Sequence, residues 1–394
     1  MNLEAHGATD VGRVRRQNED AYLVDAGLRL AVVADGMGGH ACGEVASQMA
    51  VHVFRDTIDM GRTSLVAHAS EGRGAGTRRV RRLLRGAMRR ASRAIYDEAT
   101  RDPTKRGMGT TCTALLVSGE TAFVAHVGDS RAYLLRSGRV VPLTRDHSLL
   151  NVLVEDGRLT EDEALSDDYA GYRGALARAV GIERDVVVDT AAFEALPGDA
   201  ILLASDGLTR HVDDDEIGAL LSDGSSDPAH RLVDLANERG GSDNISVVVT
   251  RFSGDGVDEL QRCDDFAERL TAVRRLPLFR ELTLTQALEV ASSAPTVSVS
   301  AGDELLAPFA DERVLYVVLS GRVRVVAPDD TASVIREGET FGALTCVRHE
   351  EAESRAIAVT ESRLVRLEAE ELVEILGRSA LLDADVARAV RRST

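Results

Sequence analysis

The 394-residue sequence lacks tryptophan, and aromatic residues make up only 4% of it. Because 44% of the residues are nonetheless hydrophobic, the chain can build a core, and that core must be mainly aliphatic. No apolar run approaches the ~20 residues that a membrane-spanning helix requires. The first ten residues are polar and contain no apolar signal-sequence centre. These absences predict a globular protein of the cytoplasm.

The sequence also lacks paired cysteines and a surplus of positive charge. The formal net charge of −17 argues against general binding to nucleic acid or to an anionic membrane. The cysteines are far apart and none is at metal-ligand spacing from another, which argues against a zinc site and is typical of isolated buried thiols in a reducing compartment: Cys42, Cys112, Cys263 and Cys346.

The chain is longer than a single core usually needs, so two domains are expected. Short strands and two long amphipathic helices, Glu44–Ile58 and Thr77–Thr100, are predicted within residues 1–252, with a Gly-, Ser- and Arg-rich loop between the helices. A linker helix is predicted over 253–275. Short strands with glycine turns dominate 276–394. We therefore predict an α+β protein with stacked sheets in the first domain and a small β-barrel or jelly roll in the second.

What the chain does contain is a set of acidic motifs, each beside a short apolar run. Such runs are typical of buried strands, so each motif places a carboxylate at or near a strand end. The motifs are RRQNED at 15–20, DGMGGH at 35–40, GDSR at 128–131, SDGL at 205–208 and SDN at 242–244. Carboxylates that gather at strand ends repel one another unless a cation lies among them, and Mg²⁺ and Mn²⁺ prefer oxygen ligands. The motifs therefore predict a hydrated site for two cations.

These motifs, with GMGTT at 107–111 between them, resemble in their order the PPM family of metal-dependent Ser/Thr protein phosphatases in its bacterial form. The resemblance covers about residues 5–252. Any single motif is weak, since Asp also favours turns and helix caps, but the complete ordered set is a strong signal. It implies a central β-sandwich flanked by pairs of antiparallel helices. It also implies hydrolysis by a water that two Mn²⁺ or Mg²⁺ ions activate, with a possible third ion.

The resemblance assigns a role to each matching residue. Carboxylates suit these ions because they neutralise charge and leave waters in place, and an arginine fork can bond two phosphate oxygens. Asp35 would bridge two metals with the Gly36 carbonyl on one of them, Asp206 and Asp243 would complete the pair, Glu19 and Asp20 would bind metal or its water, Asp129 would contact the third ion, Arg15 would hold the substrate phosphate, and His40 would act as general acid.

Two of these assignments have competing interpretations. His40 follows glycines and could be a plain turn residue instead of a general acid. Arg13 and Arg16 compete with Arg15 for the phosphate, and the spacing to Glu19 favours Arg15.

Residues 144–181 resemble the family's flap beside the active site, through DHS at 146–148 and RAVG at 178–181. The middle of this segment, 166–175, departs from the usual bacterial pattern, so the resemblance does not extend to target preference.

Arginines crowd the helix that begins at Thr77. They either form a solvated face whose stems cover the sheet, or dock an acidic partner or the acidic C-terminal half of the chain itself.

Residues 276–394 resemble the cyclic nucleotide-binding domain superfamily, through LPLF at 276–279, LYVVLSG at 315–321 and FG at 341–342. In that family the phosphate cassette continues with Glu and reaches an Arg nine residues later, and these residues hold the ribose and the cyclic phosphate.

Here Ala343 and Ala352 occupy both cassette positions. The loss of such charged contacts costs several kcal/mol, so cyclic AMP and cyclic GMP are predicted to bind weakly or not at all. Arg348 or Arg355 entering the pocket from an unusual position would be the exception. The domain would otherwise serve docking, dimer formation, restraint of the phosphatase or sensing of another ligand.

The leading hypothesis is therefore a phosphatase that acts on phosphorylated Ser/Thr proteins and opposes bacterial Ser/Thr kinases. One alternative is a phosphatase regulated by a cyclic nucleotide. The other is a catalytically silent regulatory binding module, which the presence of Asp35, Asp206 and Asp243 disfavours. Nucleic acid and membrane partners are not expected, and the oligomeric state stays open.

Overall fold

The computed structural model describes residues 1–38, 42–71, 74–172, 174–254, 257–276, 279, 282–307, 313–342 and 354–382. The chain divides into two compact units, Met1–Asp255 and Gly256–Thr394. The helix Val257–Arg275, which covers most of the predicted linker, falls within the second unit.

The first unit is built from two antiparallel sheets. Its strands are β1 (Asn2–Asp10), β2 (Asp20–Asp25), β3 (Leu30–Met37), β4 (Gly109–Thr110), β5 (Cys112–Ser118), β6 (Thr121–Val127), β7 (Arg131–Arg136), β8 (Arg139–Pro142), β9 (Asp189–Glu194), β10 (Ala200–Ala204) and β11 (Ile245–Ser253). One sheet has the order β1-β11-β10-β7-β8, and the other has the order β2-β3-β5-β6-β9 with β4 beside β3. Strands β2 and β3 of the second sheet pack against β11 of the first, which confirms the predicted sandwich.

Helices pack against the two sheets or lie in the segments that connect the strands. They are α1 (Cys42–Met60), α2 (Arg62–Glu71), α3 (Ala75–Arg101), α4 (Leu149–Glu155), α5 (Glu161–Leu165), α6 (Asp206–Thr209), α7 (Asp214–Ser222) and α8 (Pro228–Glu238). Helices α1 and α3 bury side chains such as Phe54, Leu84 and Met88 against the six-stranded sheet. Helices α7 and α8 bury Leu221 and Leu232 against the five-stranded sheet. The core is mainly aliphatic, as the composition predicts.

A loop is predicted between the two long helices, and this prediction is wrong for residues 62–71, which form α2. His68 is buried in this helix, with Nδ1 3.0 Å from Ser118 Oγ. Its ring lies edge-on to Phe123, at 5.1 Å between centroids. The helix is therefore fixed by contacts with the sheet, and the local glycine and serine content could not reveal them.

The arginines of α3 contact the edge strand β9 and the segment before it. Arg81 is buried and donates to the Thr190 carbonyl at 3.1 Å, while Arg85 donates to Thr190 Oγ1 at 2.8 Å. Arg89 Nε lies 3.3 Å from Asp185. These contacts favour the interpretation in which arginine stems cover the sheet.

The second unit contains two four-stranded antiparallel sheets. Its strands are β12 (Thr296–Val299), β13 (Glu304–Leu306), β14 (Val314–Ser320), β15 (Val323–Val326), β16 (Ala332–Ile335), β17 (Thr340–Phe341), β18 (Arg355–Ala358) and β19 (Ser362–Glu368), and its helices are α9 (Val257–Arg275), α10 (Leu284–Ser293) and α11 (Ala369–Leu382). The sheet orders are β12-β19-β14-β17 and β13-β18-β15-β16. Residues from both sheets, including Val323, Ala356 and Leu364, share one buried core.

Within the described ranges, no helix has both the length and the apolar character to cross a membrane. Cys42 and Cys112 are buried thiols and Cys263 is a partly buried thiol, whereas Cys346 lies outside the described residues.

Candidate active site

Four strand ends bring the acidic residues to one end of the sandwich. Asp20 opens β2 and stands opposite Asp35 near the end of β3. In the other sheet, β10 ends just before Ser205 and Asp206, and its antiparallel neighbour β11 begins just after Asp243. Ser205 Oγ donates to Asp20 Oδ2 at 2.9 Å and so joins the two sheets at this end. The structure therefore brings together carboxylates that lie far apart in the sequence.

Backbone contacts fix Asp35 and the glycine that follows it. The amide of Asp35 donates to Thr111 Oγ1 at 2.8 Å, and the amide of Thr111 donates to the Asp35 carbonyl at 2.8 Å. A Cβ on Gly36 would lie 2.2 Å from the Gly43 carbonyl oxygen and 2.4 Å from that of Glu19. Only glycine allows this close approach of three backbone segments next to Asp35.

The loop that carries Arg15 and Glu19 is fastened by Asn244. Asn244 Oδ1 accepts from the Glu19 amide at 2.8 Å, and its Nδ2 donates to the carbonyls of Val11 and Gln17, both at 2.9 Å. Asn244 belongs to the SDN motif, but no role was predicted for it. The motif itself was the available signal, because an Asn side chain has donors and an acceptor that can satisfy a loop from both sides.

Burial raises the pKa of every predicted carboxylate at this site for which a shift is resolved. It raises the pKa of Asp20 to about 7, against hydrogen bonds from serine hydroxyls. Burial and then the charge of Asp206 raise the pKa of Asp129 to about 7. The pKa of Asp35 lies well above its usual range through burial and then its acidic neighbours, and burial also raises the pKa of Asp206 and of Glu19. In the absence of a cation, this end of the sandwich disfavours the anionic forms.

Two buried carboxylate oxygens have no hydrogen-bond partner within the described ranges, Asp20 Oδ1 and Asp206 Oδ1. Asp206 lies beside Asp35. Two carboxyl groups can form a hydrogen bond only when one of them carries a proton, so neither is a donor to the other while both are anionic. Buried oxygens without donors are costly unless another charge satisfies them. In its chemistry, this set of oxygen donors fits a divalent ion that prefers oxygen ligands.

Two arginines form ion pairs with carboxylates of the same cluster. Arg15 Nη2 donates to Asp243 Oδ2 at 2.7 Å. Arg210 pairs with Asp206 through Nη2, and its Nη1 lies 3.4 Å from Asp243 Oδ2. Among the described residues, no group of three or more His, Cys, Asp or Glu side chains is already arranged to hold a metal ion. No role was predicted for Arg210, which directly follows the short helix α6; its spacing of four residues from Asp206 was the available signal.

The predicted flap is anchored at its base and borders Arg210. The amide of Thr110 donates to the Val180 carbonyl at 3.0 Å, and the amide of Leu149 donates to the Ala175 carbonyl at 2.8 Å. A Cβ on Gly174 would lie 3.9 Å from Arg210 Nη2. His40, the predicted general acid, lies outside the described residues.

The cassette positions of the second unit, Ala343 and Ala352, also lie outside the described residues, as does Arg348. Phe341, just before the cassette, is buried and stacks on Tyr316 with 4.9 Å between ring centroids. Arg355 Nε donates to Glu304 Oε1 at 2.6 Å in a half-exposed pair. In this structure Arg355 is therefore engaged by a carboxylate.

Two family models match the chain. Residues 13–245 match Protein phosphatase 2C, and residues 296–379 match Cyclic nucleotide-binding domain. These matches confirm both predicted resemblances.

Similar proteins match the first unit. The serine/threonine protein phosphatase PstP of Mycobacterium tuberculosis is 40% identical over 242 residues, which is 61% of this chain and 43% of that protein. The chain therefore spans less than half the length of this relative. The serine/threonine phosphatase stp of Listeria monocytogenes is 34% identical over 252 residues, or 63% of this chain and 95% of that protein.

Solved structures agree with the fold. The crystal structure of the M. tuberculosis PstP/Ppp phosphatase has a TM-score of 0.55 at 37% identity, covering 64% of this chain and 99% of that chain. A second structure, of the PstP catalytic domain in complex with two manganese ions, has a TM-score of 0.50 at 37% identity over 64% of this chain and 99% of that chain.

Proposed function

The chain belongs to the protein phosphatase 2C family, and from that premise we propose that it is a metal-dependent phosphatase that hydrolyses phosphoserine and phosphothreonine in proteins. The observation that carries the proposal is the set of buried carboxylates at one end of the sandwich, with Asp20 Oδ1 and Asp206 Oδ1 lacking donors. Such a cluster is unfavourable for folding by itself and becomes favourable when cations occupy it. A silent binding module would have no need to retain it.

The ligands that we propose are those of the matching motifs. Mn²⁺ or Mg²⁺ ions, two with a possible third, supply a water activated at neutral pH and positive charge near the phosphoryl oxygens when they are bound. Asp35, the Gly36 carbonyl, Asp206 and Asp243 would hold the pair, Glu19 and Asp20 would bind metal or its water, and Asp129 would hold a third ion.

Arg15 would hold the substrate phosphate. Its side chain is 49% exposed and bonds Asp243 Oδ2 at 2.7 Å, so it is both accessible and positioned at the cluster. A planar guanidinium can exchange one carboxylate partner for two phosphate oxygens without loss of charge pairing.

His40 would protonate the leaving serine or threonine oxygen. Substrates would be phosphoproteins of the cytoplasm, in opposition to Ser/Thr kinases.

The test is hydrolysis of a phosphothreonine peptide by the full chain, with p-nitrophenyl phosphate as a second substrate. Activity should require Mn²⁺ or Mg²⁺, disappear with a chelator and return when metal is restored. Asp35→Asn should abolish it, whereas the matched exposed change Asp223→Asn should not. Turnover that persists after chelation would contradict the proposed metal dependence, whereas no turnover with either metal would favour the silent module.

For the second unit we propose a docking or regulatory role without conventional binding of cyclic nucleotides. Support comes from alanine at both charged cassette positions and from Arg355, whose guanidinium pairs with Glu304. A phosphate without a cation partner loses several kcal/mol of binding free energy. Calorimetric titration of the full chain with cyclic AMP and cyclic GMP should show no binding at micromolar ligand. Micromolar affinity would instead support a phosphatase regulated by a cyclic nucleotide.

A further inference from the structure

Arg210 is a cation within the chain that contacts the acidic cluster where ions are proposed to bind. It follows α6 directly, four residues after Asp206, and the guanidinium reaches two carboxylates at once. Nη2 pairs with Asp206, and Nη1 lies 3.4 Å from Asp243 Oδ2. The Asp129 carboxylate also interacts electrostatically with this guanidinium. Arg210 thus stands among three of the carboxylates assigned to metal binding.

The oxygens that Arg210 contacts are ones that a metal ion would need. Asp243 Oδ1 accepts from the Asn244 amide at 2.9 Å, and Oδ2 carries both Arg15 and Arg210. Asp206 pairs with Arg210 through Oδ2 and keeps only Oδ1 without a donor. A divalent ion and a guanidinium cannot share one carboxylate oxygen at full strength, because both are cations and repel each other.

Arg210 has a route away from the cluster. Its side chain is 48% exposed, so the guanidinium can move into water when an ion displaces it. On the other side, Gly174 of the flap has no side chain, and a Cβ there would lie 3.9 Å from Nη2. Arg15 differs from Arg210, since substrate phosphate is its proposed partner.

We propose that Arg210 is a tethered counter-cation that competes with divalent ions for Asp206 and Asp243, so that it weakens metal binding and holds the acidic cluster together in the metal-free protein. The inference rests on the proposed metal-dependent function. It concerns how tightly this chain binds its ions, which the family resemblance does not specify.

The test is calorimetric titration of the metal-free full chain with Mn²⁺ at low ionic strength, for the wild type and for Arg210→Gln. The variant should bind Mn²⁺ about tenfold more tightly, because a partly exposed charge-assisted pair no longer competes. Arg210→Lys keeps the charge but loses the fork, and its affinity should fall between the other two. The metal-free Arg210→Gln protein should also unfold at a lower temperature than the metal-free wild type, and saturating Mn²⁺ should remove most of that difference.

Arg231→Gln is the matched control. Arg231 also pairs with one aspartate, Asp223, and is 49% exposed, but neither residue belongs to the cluster. It removes the same charge from the same unit and should leave Mn²⁺ affinity at the wild-type value. Equal or weaker Mn²⁺ binding by Arg210→Gln, while the wild type still binds Mn²⁺, would overturn the competing role of Arg210 and leave the proposed metal-dependent function unaffected. A wild type that binds no Mn²⁺ would overturn the proposed function together with it.

Discussion

The two ends of β10 each carry an aspartate with little exposure, and the two are satisfied very differently. Asp199, just before the strand, is 2% exposed in its side chain, and Arg136 donates to its two oxygens at 2.8 and 2.6 Å. The amide of Leu196 adds a third donor at 2.8 Å. Asp206, just after the strand, is 14% exposed and keeps Oδ1 without a donor. One strand therefore begins at a completed ion pair and ends at an incomplete one.

This difference separates a structural carboxylate from one that is proposed to bind metal. A buried charge with a full set of donors is consistent with a stable fold and leaves no capacity for a ligand. A buried charge with missing donors reduces stability until a ligand supplies the missing partner. Burial of an aspartate alone does not distinguish the two cases, whereas a list of the donors to each oxygen does.

Replacement of the functional aspartate should produce the largest effect. Asp206→Asn removes a proposed metal ligand, and activity toward p-nitrophenyl phosphate with Mn²⁺ should fall at least ~10³-fold, more than the loss of an outer-shell partner would cause. The metal-free variant should be no less stable than the wild type, since one of several mutually repelling carboxylates has gone. Retained activity, or a large loss of stability, would remove the distinction between the two strand ends.

Replacement of the structural aspartate should reverse that pattern. Asp199→Asn leaves Arg136, whose side chain is only 12% exposed, without its charge partner, so the free energy of unfolding should fall by about 3 kcal/mol. Chemical denaturation of the full chain measures it, and kcat of the folded protein should stay at the wild-type value. A variant as stable as the wild type would mean that the completed pair has no structural role.

A buried histidine extends the comparison to pH. Thr113 Oγ1 lies 2.9 Å from His126 Nδ1, and the Arg145 carbonyl lies 3.1 Å from Nε2. Burial and then nearby His147 lower the pKa of His126 to about 3. Between pH ~6.5 and ~3 the unfolded chain binds a proton on His126 that the folded protein does not bind. The contribution of His126 to the free energy of unfolding therefore falls as pH falls, by about 1.4 kcal/mol per pH unit.

The measurement is the free energy of unfolding between pH 6 and pH 4 for the wild type and for His126→Gln. The variant has no imidazole to titrate, so its stability should depend less steeply on pH. Parallel curves for the two proteins would show that His126 accepts a proton in the folded state.

The smallest predicted effect concerns the hydroxyl that joins the two sheets. Ser205→Ala removes the donor to Asp20 Oδ2, and Mn²⁺ affinity should weaken about tenfold, as is typical for a partner of a metal ligand. Ser222→Ala is the control, because Ser222 Oγ donates to the Gly218 carbonyl in α7 and touches no acidic residue of the cluster. Calorimetry that shows equal affinities for both variants would exclude a role for Ser205 in orienting Asp20.

Much of the fold could be predicted because its signals are local. Apolar runs predicted strands beside the acidic motifs, and helical periodicity predicted α1 and α3 to within a few residues. Helix α2 could not be predicted, since the buried contact of His68 with Ser118 and Phe123 depends on two strands, β5 and β6, that lie about 50 residues later. For the site, the spacing and order of the motifs identified the carboxylates. They did not identify the hydrogen-bond donors to those carboxylates.

The sequence by itself determined the residue types, the strand ends on which they stand and the family to which the chain belongs, because these depend on local pattern and on the order of motifs. Only the tertiary structure decided that Asp199 is satisfied by Arg136, that Asp206 is not fully satisfied, and that Arg210 and Arg15 meet at Asp243 Oδ2. Hydrogen bonds and charge pairing depend on distances of a few ångströms between segments far apart in the chain, and packing of the two sheets sets those distances.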